Sequence, residues 1–369
     1  MENEAFMKYE QITKALMKFI EKSPTAFHAV ETMEERFLEE GFTQLYEKDA
    51  WELIPGGSYF VTRNHSAILA FSIPENVSHR FRIMVSHSDS PAFKIKENPE
   101  ITVEDTYVKL NVEKYGGMLM APWFDRPLSI AGRVIVDQNG ELQEKLICFD
   151  RDLVLIPTLS IHLNREVNDG YSYNAQKDLL PLFGEASSKK TLLSLIAENL
   201  KVDETDILGH DLFLYNRVPG TIWGADREFF SIGRLDDLQC AYSSMEGFLS
   251  AKRQESIAVH CVLDNEEVGS GTKQGAASSF LRDTLLRINR GLGRSYEDYL
   301  RTLADSFIVS ADNAHALHPN YADKADPVNR PLLNKGIVIK FNASQKYCTD
   351  GVSAAIFRKL CKEADVPVQ

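Results

Sequence analysis

Short apolar runs and helix-period segments alternate along two parts of this 369-residue chain, and a long β-rich stretch stands between them. In the first part, Phe6, Tyr9, Ile12, Leu16, Phe19 and Ile20 recur at three-to-four spacing, the mark of an amphipathic helix. "KSPTAFHAVETMEERFLEEGF" reads as a second helix, with a start signal at Ser23 and Pro24 and a stop at Gly41. "SYFVTR", "AILAFSI" and "FRIMVS" follow as strands, the last two apolar enough for a sheet interior. The alternation resumes near residue 231. There "DDLQCAYSSMEGFLSAK", "SYEDYLRTLADS" and "DGVSAAIFRKLCKEA" read as helices, and "SIAVHCVL", "FIVSAD" and "GIVIKFNA" as strands. The two parts are expected to share one sheet.

Between them, "YVKLNVEKYGG", "LSIAGRVIVDQNGELQ" and "VLIPTLSIHLNR" are β-rich, and Asn139-Gly140 between alternating runs signals a hairpin. "EASSKKTLLSLIAENLKV" is one helix within that region. The expected organisation is an α/β domain, from 1–92 and 231–369, interrupted by a β-rich domain at 93–230.

Charge and cysteine use narrow the setting. The formal net charge of -12 disfavours nucleic acid and anionic membrane as partners. Five scattered cysteines without a CxxC read as reduced thiols in a cytoplasmic protein. The opening "MENEAFMKYEQ" is too polar for a signal peptide, and no apolar run reaches membrane-spanning length.

Four polar clusters fall where strands are expected to end. They are "MVSHSDSPAF" with His87 and Asp89, "IGRLDDLQ" with Asp236 and Asp237, "VLDNEEVGSG" with Asp264, Glu266 and Glu267, and "IVSADNAHALHPNY" with Asp312, His315 and His318. Ligand sites in open α/β sheets gather outside the carboxyl ends of strands. His, Asp and Glu converging there compose a divalent metal site. His87 offers an imidazole, and Asp89 could accept its other ring N–H. Asp236 or Asp237 could bridge two metals, and Asp237 suits helix capping. In extended backbone Glu266 and Glu267 point to opposite sides, so one could bind metal while the other moves a proton. "GSGTKQG" fits neither nucleotide fingerprint, and two acids beside it repel phosphate. Its glycines (Gly269, Gly271, Gly275) suit a tight turn.

Eight segments occur in order: "SPTAFHAV", "GGSYFVTRN", "SHSDSPAFKIK", "YGGMLMAPWFDRPLSIAGRV", "IPTLSIHLNR", "GRLDDL", "DNEEVGSGTKQGA" and "SADNAHALHPNY". Together they resemble the aspartyl aminopeptidase family of dinuclear zinc exopeptidases, from about residue 20 to 365. The resemblance implies an α/β/α catalytic domain with a mixed central sheet, and makes the inserted 93–230 region a dimerisation domain. It implies two zinc ions: His87 and Asp312 bind one, Glu267 binds the other, and Asp236 bridges them. It makes Glu266 the general base and Asp89 the residue that orients His87. His162 resembles the residue that reaches into a neighbouring subunit's active site, in a hollow dodecamer that admits peptides.

The reaction so implied removes one N-terminal residue, Asp or Glu by the family's name, from a peptide. Glu266 takes a proton from the attacking water and passes it to the leaving amine. One departure stands out. Family members continue past residue 369 with a His-Ser pair that completes the Glu267 metal, and this chain has no histidine after His318. His315 and His318 are not its replacements, since they match the family's own segment. Two other readings compete: a deacylase or carboxypeptidase on a similar scaffold, and a catalytically impaired shell subunit without the last ligand.

Overall fold

The strand Ala67–Ser72 is buried at all six positions, and its side chains alternate between two cores. Ile68 and Ala70 face one core, while Ala67, Leu69 and Phe71 face the other. Such a strand needs helices on both sides of its sheet. The computed structural model describes residues 2–76, 80–251 and 255–369. It divides into two units, 1–311 and 312–369.

The first unit begins with α1 (Glu2–Lys22), α2 (Ala26–Glu39), β1 (Thr43–Leu45), β2 (Ser58–Arg63), β3 (Ala67–Ser72) and β4 (Phe81–His87). A second group follows: β5 (Ala92–Val103), β6 (Tyr107–Tyr115), β7 (Leu128–Gln138), β8 (Glu141–Cys148), β9 (Leu182–Glu185), α3 (Leu192–Leu200) and β10 (Ile207–Asn216). A short ribbon of β11 (Thr221–Trp223) and β12 (Phe229–Ser231) leads into α4 (Leu235–Ser250). The unit closes with β13 (Ile257–Leu263), α5 (Phe280–Gly291), α6 (Tyr296–Ala304) and β14 (Phe307–Ser310).

The first sheet has the order β1-β2-β3-β13-β4-β14. β13 pairs in parallel with β4 and antiparallel with β3, so the sheet is mixed and draws on both flanks of the β-rich stretch, as expected. On one side lies a core from α1, α2 and α4, including Leu16, Phe19, Met33, Phe37, Leu238 and Phe248. On the other, Phe280, Leu285 and Ile288 of α5 and Tyr299 of α6 pack against Leu69 and Phe71. Each fully buried Leu, Ile or Phe contributes about 1.5–3 kcal/mol. Of the α1 stripe, Leu16, Phe19 and Ile20 are buried while Tyr9 and Ile12 are exposed, and the Phe6 side chain lies outside the described residues. α2 starts at Ala26 with Thr25 as its cap, two residues after the expected Pro24.

The second sheet, β8-β7-β10-β5-β6-β9, is antiparallel throughout. Its core gathers Phe93, Ile95, Leu110, Val112, Ile130, Val134, Ile147, Leu212 and Leu214 under Leu192 and Ile196 of α3. Asn139 and Gly140 turn the β7–β8 hairpin with φ of 59° and 85°, the positive values a two-residue turn of this kind demands. "VLIPTLSIHLNR" forms isolated bridges only up to Ile156 and continues as turns, so the expected strand is absent there. Pro157 removes a ladder donor at that point.

In the second unit, α7 (Gly351–Glu363) starts at a capping box of Asp350 and Ser353. The strand expected in "GIVIKFNA" is reduced to one bridge between Ile337 and Val368. Among the described residues no helix is long and apolar enough to cross a membrane.

One consequence of the topology matters for chemistry. The chain leaves the first sheet just after His87, at the end of β4, and its next segments of that layer are α4, which begins at Leu235 beside Asp236, and then β13.

Candidate metal centre

β4 and β13 run side by side in parallel, with His87 opposite Leu263 in register. Their carboxyl ends therefore open at the same level, and α4 begins beside them. Three ligand atoms, from His87, Asp236 and Asp237, lie within 4.8 Å of one another. His87 Nε2 is 3.5 Å from Asp236 Oδ1 and 4.0 Å from Asp237 Oδ2. An imidazole nitrogen converging with two carboxylates is a donor set suited to zinc.

The residues are held for different reasons. Asp236 and Asp237 stand where α4 begins, but their backbone is not helical, and the peptide bond between them is cis. Ser90 Oγ donates to the Asp236 carbonyl at 2.8 Å. Asp237, expected as a helix cap, is fully buried, and its Oδ2 accepts the backbone N–H of His87 at 3.1 Å. Sequence reasoning passed over this role because it depends on a strand 150 residues away.

His87 is buried, and its Nδ1 faces Asp89 Oδ1 at 3.2 Å and the Asp89 carbonyl at 3.1 Å. Burial pushes the imidazole pKa down, but the Asp236 and Asp89 carboxylates outweigh it and hold the ring up at about 11. So strong a preference for positive charge is what a metal cation at Nε2 would satisfy. Asp89 resists its own burial through His87, Tyr115 and the Glu267 N–H, which keep its pKa below the usual range.

Glu266 and Glu267 do not continue β13 as extended chain. Asp264 is buried, Asn265 turns left-handed at φ 62°, and Glu266–Val268 form one 3-10 turn. The expected alternation of the two glutamates therefore does not apply, because the backbone here is helical rather than pleated. The turn still separates them. Glu266 is exposed, with Oε2 3.9 Å from His87 Nε2. Glu267 is half-buried, and desolvation, reinforced by nearby Asp236 and Asp89, raises its carboxyl to about 7 despite the opposing pull of His87. Burial also raises Asp264 to about 6. Its Oδ1 accepts the Asn265 N–H at 2.7 Å, so this acid serves the turn.

The remaining expected residues lie on other segments of the chain. His162 is exposed in the turn Ile161–Leu163 of the second-sheet region. Asp312 belongs to the second unit, where its carboxylate is 3.0 Å from Lys340 Nζ. Beside the cluster lies a cavity of about 710 Å³, whose lining includes Phe27, Asp89, Arg126, Tyr215, Arg234 and Asp236. Among the described residues, neither Arg126 nor Arg234 forms an ion pair, and the Nε of each lacks a hydrogen-bond partner.

Comparison with known proteins gives this geometry its context. The profile of a family described as aminopeptidase I zinc metalloprotease (M18) matches residues 19–369. A probable M18 family aminopeptidase 2 from Clostridium novyi is 46% identical over 362 residues, covering 96% of this chain and 84% of its own. A chain in the cryo-EM structure of the Ape4 and Nbr1 complex superposes with a TM-score of 0.92 at 36% identity, over 96% of this chain and 73% of that one. The S. cerevisiae mApe1 dodecamer has a TM-score of 0.85 at 25% identity, over 98% and 85%. These likenesses support an aminopeptidase, and the deacylase, carboxypeptidase and impaired-subunit readings fall away.

Proposed function

This chain belongs to the M18 family of aminopeptidase I zinc metalloproteases, a family of metal-dependent aminopeptidases, and from that premise we propose how its residues divide the work. His87, Asp236 and Asp237 hold zinc, the reading that rests on their three ligand atoms lying within 4.8 Å. Zinc bound there supplies Lewis acidity to the scissile carbonyl and lowers the pKa of water. Asp89 fixes the His87 ring through Nδ1. Glu266 moves the proton, since its carboxylate is exposed and lies 3.9 Å from the same imidazole nitrogen that faces the carboxylates. A second zinc is assigned to Glu267, and Asp312 enters as a ligand by family resemblance alone.

The cavity is of a size that takes a small ligand. Arg126 and Arg234 on its wall, without ion-pair partners among the described residues, favour an acidic N-terminal residue, Asp or Glu, on the peptide. The catalytic domain is assigned to 1–92 and 231–369, and the 93–230 region to dimerisation, with His162 reaching a neighbour's substrate. The dodecameric relative supports a homo-oligomer; a dimer building block and a cytoplasmic setting are assigned by family resemblance alone.

Glu266→Gln tests the central assignment. Zinc content should stay at the wild-type level while turnover on aminoacyl amides falls by ~10²–10⁴-fold. Wild-type turnover in that variant would remove Glu266 from the mechanism. Equal rates on glutamyl and leucyl amides would remove the acidic preference and leave the reaction standing.

A further inference from the structure

The end of β6 touches the turn that carries the two glutamates, and the metal cluster alone does not account for it. Tyr115 Oη donates to Asp89 Oδ2 at 2.8 Å and accepts from Asn265 Nδ2 at 2.8 Å. Asp89 then serves as a hub. Its Oδ1 accepts the Glu266 N–H at 3.1 Å and faces His87 Nδ1, and its Oδ2 also accepts the Glu267 N–H at 3.1 Å. Asn265 is anchored in turn, with Oδ1 accepting from Thr272 Oγ1 at 2.7 Å and Gln274 Nε2 at 2.8 Å.

The next residue contributes by shape. Gly116 has φ 77°, and a Cβ built there would stand 2.9 Å from Glu267 Cβ and 3.4 Å from Glu267 Oε2. Only a glycine lets the backbone pass this close, and the atom it meets is not the movable end of a side chain.

We propose that Tyr115 and Gly116 form a positioning clamp: from the second sheet they hold the Asn265–Val268 turn so that Glu266 and Glu267 face His87. The inference rests on the reading of these glutamates as the proton and metal residues. Neither Tyr115 nor Gly116 touches the reacting atoms, so both act through Asp89, Asn265 and Glu267. Catalytic groups must be held within a fraction of an ångström by their supporting residues. Losing the tyrosine hydroxyl takes one donor from Asp89 and one acceptor from Asn265, leaving polar groups short of partners in a part-buried site. The turn then loses definition; Tyr115 also lines the cavity, and the phenyl ring left by Tyr115→Phe keeps that wall apart from the hydroxyl, while Gly116 is not part of the lining.

The test compares Tyr115→Phe and Gly116→Ala with wild type and with Glu266→Gln. For each, kcat and KM are measured on an aminoacyl p-nitroanilide, zinc Kd by competition with a chelator, and Tm by calorimetry. The clamp variants should lower kcat by ~10–100-fold and weaken zinc binding by about tenfold. KM should change by less than about threefold, since ground-state binding is retained. Unchanged kcat and zinc Kd in both variants, with or without a lower Tm, would overturn the clamp while an inactive Glu266→Gln upholds the glutamate reading. An active Glu266→Gln would overturn both. Should one clamp variant fail to fold, the other decides.

Discussion

The two sheets of the first unit bury their strands in different ways. The first sheet is mixed and covered by helices on both faces, so β3 is buried at every position. The second is antiparallel, and its core is gathered with α3. Parallel β4 and β13 bring two strand ends to one edge, where His87 meets the Glu266 turn and the start of α4. No antiparallel neighbour could place two carboxyl ends together in this way. The chemistry therefore sits at the end of the first sheet, and the second sheet supplies support, through Tyr115 and Gly116, to a turn it does not own.

The sharpest way to break this contrast is to remove one histidine from each sheet. His87→Ala should abolish zinc binding and lower activity by more than ~100-fold, the upper end of what loss of a mere supporting partner costs. His210→Ala, on β10, should leave zinc content and rate near wild type. Zinc analysis and initial rates decide, and equal losses in the two variants would end the division of roles.

Core truncation asks whether the sheets unfold together. Phe71→Ala, in the core between the first sheet and α5 and α6, should destabilise by ~3–5 kcal/mol, and Leu212→Ala, in the core of the second sheet, by ~2–5 kcal/mol. Both residues lie in one unit, so each variant should move a single common denaturation midpoint. A two-step curve in which Leu212→Ala moves one step only would show the sheets to be independent.

Acid sensitivity should belong mainly to the first sheet. Burial holds His260 on β13 and His28 on α2 down at about 4, against 6.5 when unfolded. Between those values the unfolded chain binds the proton and the folded chain does not. Stability is thus fully present above pH 6.5 and is lost as pH falls towards 4, by about 1.4 kcal/mol per pH unit for each histidine. His260→Gln should flatten this slope relative to wild type, since carboxylate titration is common to both. An unchanged slope in urea midpoints between pH 6.5 and 4 would count against it.

The smallest contrast is between two helix caps. Thr191 caps α3 over the second sheet, and Ser295 caps α6 over the first, each in a reciprocal box. Alanine at either should cost ~1 kcal/mol. A cost near zero at one of them would show that tertiary packing, not the cap, sets that helix start.

Much of this was legible before the structure. "SYFVTR" spans β2, and the Asn139-Gly140 hairpin turns where its chemistry demands. The strands that failed, around Ile161 and Ile339, are apolar runs without a ladder to join. An apolar run shows a wish for burial, while a strand also needs a partner for its backbone. Tyr9 and Ile12 taught the same lesson on α1: the period marks a face, and only packing shows how far that face is covered.

The sequence by itself determined most of the helices and strands, the acid and histidine groups at the strand ends, and the family. Those depend on local periodicity, on turn chemistry and on ordered motifs. Tertiary structure decided that Asp237 is buried against His87, that Glu266 and Glu267 stand on a 3-10 turn, and that Tyr115 meets Asp89. The physical reason is distance along the chain. A hydrogen bond such as that from Asn265 to Tyr115 spans 150 residues, and its existence depends on how two sheets come together, which no local pattern encodes.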